Sequence, residues 1–238
     1  MLATLLAIAM AAAPTAGVAS PEGRALIEAV QASIDDVRRR HAGLPPPESD
    51  ADRLVRMGEL DQAARKVVTS FDFSRIPEAE RETALALAVA PMKAADKENQ
   101  QALLALVPPE GWFARSRYGE PAARAAFNIV QHADTATQRR FLPKLEALAK
   151  TGEVDGQNVA MMFDRIAIAE GRPQRYGTQF RCDGGKWRPY PLEDEANVEA
   201  LRQQAGVGWT YAENKARIQA SPTCPQTRSP PPPGMKLD

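Results

Sequence analysis

Between residues 111 and 179, apolar side chains return every three or four positions through three successive segments. Each segment carries its own start and stop residues, so packed α-helices are the fold class this stretch dictates. Pro121 sits in the first turn of a helix running to about residue 133, with Ala123, Ala126, Phe127 and Val130 as its apolar stripe. Thr135 and Gln138 form a capping-box pattern for a second helix that reaches Lys150 and stops at Gly152. Asp155 caps a third, ending near Glu170 with Gly171 and Pro173 behind it. That third helix is apolar nearly all round (Val159, Ala160, Met162, Phe163, Ile166, Ala167), which predicts burial, and yet Asp164 lies in its middle.

The flanking chain extends the pattern. Ala25, Leu26, Val30, Ile34 and Val37 define a helix over 21–40, followed by the stiff linker Leu-Pro-Pro-Pro-Glu-Ser-Asp at 44–50. A helix over 51–69 is expected with Asp50 as N-cap, then a loop over 71–76. Pro77 opens a further helix through residue 106, interrupted at Pro91. After residue 170 the period changes to two. Residues 176–182 and 186–190, joined by Asp183-Gly184-Gly185, read as a β-hairpin whose second strand Pro189 and Pro191 confine to an edge. Glu193 or Asp194 caps a helix to about residue 204, and Thr210 with Glu213 caps a last one. The expected fold is mainly α: a multi-helix domain with one small C-terminal β-hairpin. Its parts are a signal peptide at 1–19, a helix and Pro-rich linker at 20–50, the helical domain with its hairpin (176–190) at 51–220, and a disordered Pro-rich tail at 221–238.

Charge and cysteine content narrow the partners. The chain holds 30 basic and 30 acidic residues in 238, well mixed, which argues against a nucleic-acid footprint or a polybasic membrane patch. The apolar run 2–13 and the small residues Gly17-Val18-Ala19 suit an export signal cleaved after Ala19, leaving no stable membrane span and a periplasmic or extracellular protein. Cys182 and Cys224 are an even pair for an oxidising compartment, and a bridge between them would tie the tail to the hairpin.

Chemistry-bearing residues cluster in the central segments. Asn128, Gln131 and His132 share one edge of their helix and could line a polar cleft. Asp164 needs a partner, because a lone buried charge costs several kcal/mol; His132, Tyr176 or an arginine from the N-terminal half could supply it. Asp61 is expected to pair with Arg65 at i,i+4 in a structural role, and Asp134 to cap the helix that follows it. Gln174, Tyr176, Thr178 and Gln179 gather hydrogen-bonding groups around Gly177, where backbone can approach a ligand. His41, at an Arg-rich helix end, is expected to be exposed. Metal-ligand spacings, nucleophile elbows and phosphate loops are absent from the sequence, so no metal or cofactor is expected.

These residues also form an ordered set: Asp61-Gln62-x-x-Arg65, Asp96, Asn99, Gly111-Trp112, Gln131-His132-Ala133-Asp134, Asp164-Arg165, Gln174-x-Tyr176-Gly177-Thr178-Gln179 and Glu193-Asp194. In them the chain resembles an uncharacterised bacterial family of domain-of-unknown-function type, over about residues 54–211. The resemblance implies a domain extent and a set of residues to examine, and no reaction. The functional expectation is a binding or interaction module whose cleft takes a small molecule or peptide through Asn128, Gln131, Arg165, Gln174, Tyr176 and Gln179. The alternatives are a hydrolase-type enzyme with His132 as general acid/base assisted by Asp164, and an envelope protein with no ligand.

Overall fold

Alternating capping residues and apolar stripes yield nine helices and one hairpin among the described residues. The computed structural model describes residues 17–183 and 185–220. Residues 1–16 of the expected signal peptide at 1–19, Gly184 of the hairpin turn, Cys224 and the rest of 221–238 lie outside them. The helices are α1 (Pro21–Ala42), α2 (Asp50–Ser70), α3 (Glu78–Leu106), α4 (Arg115–Tyr118), α5 (Glu120–His132), α6 (Thr135–Ala149), α7 (Gly156–Ala169), α8 (Val198–Gln204) and α9 (Tyr211–Gln219). The strands β1 (Phe180–Asp183) and β2 (Lys186–Pro189) pair antiparallel, with Phe180 opposite Pro189 and Cys182 opposite Trp187. No helix among the described residues is long and apolar enough to cross a membrane.

Most boundaries follow the sequence signals, and the departures have physical causes. Ser49, not Asp50, caps α2, because its hydroxyl accepts the Asp52 amide and leaves Asp50 free as a first-turn acid. Asp134 alone caps α6 by accepting the Thr137 amide, while Gln138 turns away toward α5. The chain stays helical through Pro91. An internal proline costs about 3 kcal/mol. Here Ala84 and Ala88 before it and Ala95 and Leu103 after it are all buried, so packing on both sides outweighs that cost. The hairpin is shorter than its alternation suggests, because the amides of Arg175, Tyr176 and Thr178 are drawn onto Asp164 instead of into a ladder. His41 is held by Glu59 at 2.9 Å with its side chain 20% exposed, so it is less open than expected.

Two apolar clusters form the interior. One joins Trp112, Phe113 and Phe141 to Leu54 of α2, Leu103 of α3, the stripe of α5 and Val159, Met162 and Ile166 of α7. The other joins Val18, α1, Phe73 and Ile76 to Ala64 of α2 and Ala84 and Ala88 of α3. Helices α2 and α3 therefore serve both clusters, one at each end. Between those ends, α2 carries Asp61 and α3 carries Asp96 and Asn99, a polar layer separating two greasy ones. Close helix contact supports this layout: a Cβ on Gly58 would sit 2.6 Å from the Ala125 Cβ, so α2 meets α5 nearly backbone to backbone.

Candidate functional site

The polar layer is built around Asp61, which is 1% exposed. Its Oδ1 lies 2.9 Å from His132 Nδ1 and 3.1 Å from Arg65 Nη1, and its Oδ2 accepts from Gln62 Nε2 at 2.7 Å. Arg65 reaches on to Asp96, donating from Nη1 at 2.9 Å and from Nη2 at 2.8 Å in a two-pronged ion pair. Asn99, one turn beyond Asp96 on α3, donates to the Met57 carbonyl at 3.0 Å and fixes α3 against α2.

The position of His132 is set by helix ends. It is the last residue of α5, and the buried Gln138 side chain donates to the Gln131 carbonyl at 2.8 Å and the Ala133 carbonyl at 3.0 Å. That amide satisfies carbonyls that helix termination leaves without internal partners. Asp134 is fixed in turn by Gln100 Nε2 at 2.7 Å, which with the Thr137 amide holds its carboxyl below the ordinary value. A carboxylate only accepts, so Asp61 requires Nδ1 of His132 to carry the hydrogen. The neutral imidazole then presents Nε2 as an acceptor, and the His132 side chain is 14% exposed.

Arg165 follows Asp164 on α7. Burial pushes its pKa down, and the charge of Arg65 adds a smaller push in the same direction. Its Nε is fully buried without a hydrogen-bond partner. Among the described residues, Arg165 takes part in no ion pair. Asn128, half-buried and one turn before His132, makes no side-chain hydrogen bond among the described residues.

Asp164 does not join His132. It is wholly buried, and its oxygens face the loop after α7. Oδ1 accepts the amides of Arg175 at 2.7 Å and Tyr176 at 3.0 Å, while Oδ2 accepts the Thr178 amide at 3.0 Å and hydroxyl at 2.8 Å. Burial pushes this carboxyl up from its ordinary value, and those four donors pull against the shift. Donors converging on both oxygens leave no room for a carboxyl proton, so the bound form is the carboxylate. The partner of Asp164 is thus local backbone, whereas Asp61 partners both Arg65, as expected, and His132, which the sequence had linked to Asp164.

The remaining expected ligand groups separate in the same way. Gln174 is fully buried and spent: Nε2 donates to the Gln179 and Tyr190 carbonyls and Oε1 accepts the Gln179 amide. The Gln179 side chain donates to Met161 O and Thr178 Oγ1. Tyr176 packs edge-on against Phe163, and its carbonyl accepts from the buried Arg202 at 2.5 Å. These residues clamp the C-terminal region onto α7. Of the expected catalytic and ligand-binding residues, His132 alone contacts Asp61, while the Gln131 carbonyl accepts from Gln138.

Fold and site together define an α-helical protein built around a buried carboxylate–imidazole–guanidinium cluster. The chain belongs to the family of unknown function DUF6624, whose profile matches residues 47–220. No curated protein and no solved structure matches it. The matched segment contains every residue of both polar assemblies.

Proposed function

We propose that this protein is an exported enzyme of hydrolase type in which His132 exchanges protons with a small bound molecule and Asp61 orients it. The observation carrying this reading is the contact between His132 Nδ1 and the buried Asp61 carboxylate, at 2.9 Å and 3.1 Å to its two oxygens. An imidazole anchored through Nδ1 offers Nε2 to take a proton from water and return it to a leaving group, while Asp61 stabilises the imidazolium between those steps. Groups in this role contribute about 10²–10⁴-fold in rate. Among the described residues the Asp61 and Arg65 side chains bond His132, Gln62 and Asp96 and no serine, threonine or cysteine hydroxyl or thiol, which favours attack by water over a covalent intermediate. Export is supported by the apolar run at 2–13, the Gly17-Val18-Ala19 junction and the even cysteine pair.

A second reading keeps the site and drops the turnover. Among the described residues the Asn128 amide and the Arg165 Nε have no hydrogen-bond partner, which suits a receptor for a small polar ligand equally well.

The ring protonation tests the first reading without a known substrate. Only two histidines are present, so side-chain ¹⁵N spectra resolve His132 against a His41→Gln control. The expected spectrum shows the Nδ1–H tautomer, converted toward Nε2–H in Asp61→Asn. Turnover of nitrophenyl acetate or phosphate by the wild-type chain, lost in His132→Gln, supports the enzyme reading. An Nε2–H tautomer in the wild type refutes the acid/base role.

A further inference from the structure

A cavity of about 490 Å³ lies between α6, α7 and the end of α8, and none of its lining residues belongs to the Asp61 cluster. Small-molecule sites span about 300–1,000 Å³, so it has room for one metabolite-sized guest. The space originates on α7, where Gly156, Ala160 and Phe163 line it at helical spacing. The first two are too small to fill it. A Cβ on Gly156 would collide with the Ala205 carbonyl oxygen, so the end of α8 closes on α7 by direct backbone approach. Phe163 and Tyr176 supply an aromatic corner, edge to face with ring centres 5.7 Å apart, and Asp164 fixes Tyr176 there by its amide. The charged part of the wall is on α6. Glu146 and the C-cap residue Lys150 stand four positions apart, a rise of about 6 Å. Glutamate four residues before lysine is the favoured order for a helix ion pair. Among the described residues, however, neither side chain has an ion-pair or hydrogen-bond partner.

We infer that this cavity is a binding site for a free α-amino acid with an apolar or aromatic side chain. The ammonium of the guest meets Glu146, its carboxylate meets Lys150, and its side chain lies against Phe163 and Tyr176. An α-amino acid hangs both charges on one carbon, so two long side chains rooted one helical turn apart can close on it together. An apolar amine would leave Lys150 unanswered, and an apolar acid would leave Glu146 unanswered. A polar amino acid would leave the aromatic corner wet, forgoing the gain from covering it. A phosphorylated metabolite would set several negative charges beside Glu146 with Lys150 as the one lining cation to meet them. The site does not depend on the proton chemistry proposed for His132.

Titration of the ¹⁵N-labelled full chain with L-phenylalanine tests this through backbone amide shifts. Saturable shifts are expected at Ala160, Phe163, Tyr176 and Gly206. Phenylpropionate lacks the ammonium and phenylethylamine lacks the carboxylate, so each should bind about fivefold more weakly, the effect of one exposed charge pair. L-serine keeps both charges and loses the apolar contact, so it should bind more weakly still. Glu146→Gln should weaken L-phenylalanine and leave phenylpropionate unchanged; Lys150→Gln should weaken L-phenylalanine and leave phenylethylamine unchanged. Both side chains are exposed, so neither substitution disturbs the core. No shift at those four amides overturns the site. Equal affinity for L-phenylalanine and either analogue, or an affinity for L-phenylalanine unchanged in either variant, overturns the assignment of both charges to one guest. L-serine binding as tightly as L-phenylalanine overturns the apolar part. None of these results alters the His132 tautomer, which reports on the acid/base reading alone.

Discussion

Replacing Asp164 by alanine tests how the C-terminal region is held. The side chain accepts from three backbone amides and one hydroxyl at distances between 2.7 and 3.2 Å, and it is completely buried. Hydrogen bonds to a charged acceptor contribute roughly 1.5–3 kcal/mol each, and four taken together would exceed what such a network can deliver. Two effects reduce the sum. The desolvated carboxylate is itself costly, as the upward push on its pKa shows, and the loop donors regain some water once it is gone. A net loss of about 3–5 kcal/mol remains, the range for leaving half of a buried polar network unpaired. For a chain of this size that is a fall in Tm of roughly 6–20 °C. Urea unfolding followed by circular dichroism measures the loss, and hydrogen exchange should accelerate first at the amides of Arg175, Tyr176 and Thr178. Asp164→Asn should be nearly as damaging, since an amide –NH₂ turned toward any of these donors repels it. A loss below about 1 kcal/mol in Asp164→Ala, or unchanged exchange at those three amides, would refute the argument.

Three other outcomes follow from the packing and the charges. Gly58→Ala gains helix propensity but sets a methyl 2.6 Å from the Ala125 Cβ, so α2 and α5 must part; a net loss of about 1–3 kcal/mol is expected from denaturant midpoints. Asp134→Ala removes the α6 cap at a cost of about 1 kcal/mol near neutrality. Because Gln100 and the Thr137 amide depress the Asp134 carboxyl from 3.8, its contribution is present above that value and lost as the pH falls through the folded-state pKa. The urea midpoints of wild type and Asp134→Ala should therefore converge in strong acid. Peptide mapping of the non-reduced protein should find Cys182 joined to Cys224; two alkylatable thiols would exclude the bridge.

The helices were legible because their signals are local. Caps such as Asp155 and Thr210–Glu213 and the stripe of α5 act within a few residues, and they ended up where the sequence put them. The internal helix at Pro91 was not legible, since only the partners of α3 show that both halves are buried. The site was half legible. Burial of Asp164 follows from its apolar neighbours on α7, but the identity of its partner depends on a glycine turn at Gly177, with φ +66°, that brings three amides to one carboxylate. Asp61 showed its i,i+4 partner Arg65 and concealed His132, which lies 71 residues away and reaches it only once α2 and α5 pack through Gly58. The orphan state of Arg165 is a property of what surrounds it in space, and no spacing in the sequence encodes that.

The start of α1 bears on when a leader could be removed. Val18 is buried in the second apolar cluster, and the Ser20 amide and hydroxyl both donate to Glu80 Oε2, at 2.9 Å and 2.6 Å. A peptidase needs several residues drawn out into its groove, and the bond between Ala19 and Ser20 is pinned on either side. Any cut there therefore belongs to the time before the domain closes, and the new amino terminus would then settle as an ammonium on the Glu80 carboxylate. In that order of events, docking of the first helix would act as the latch that ends processing.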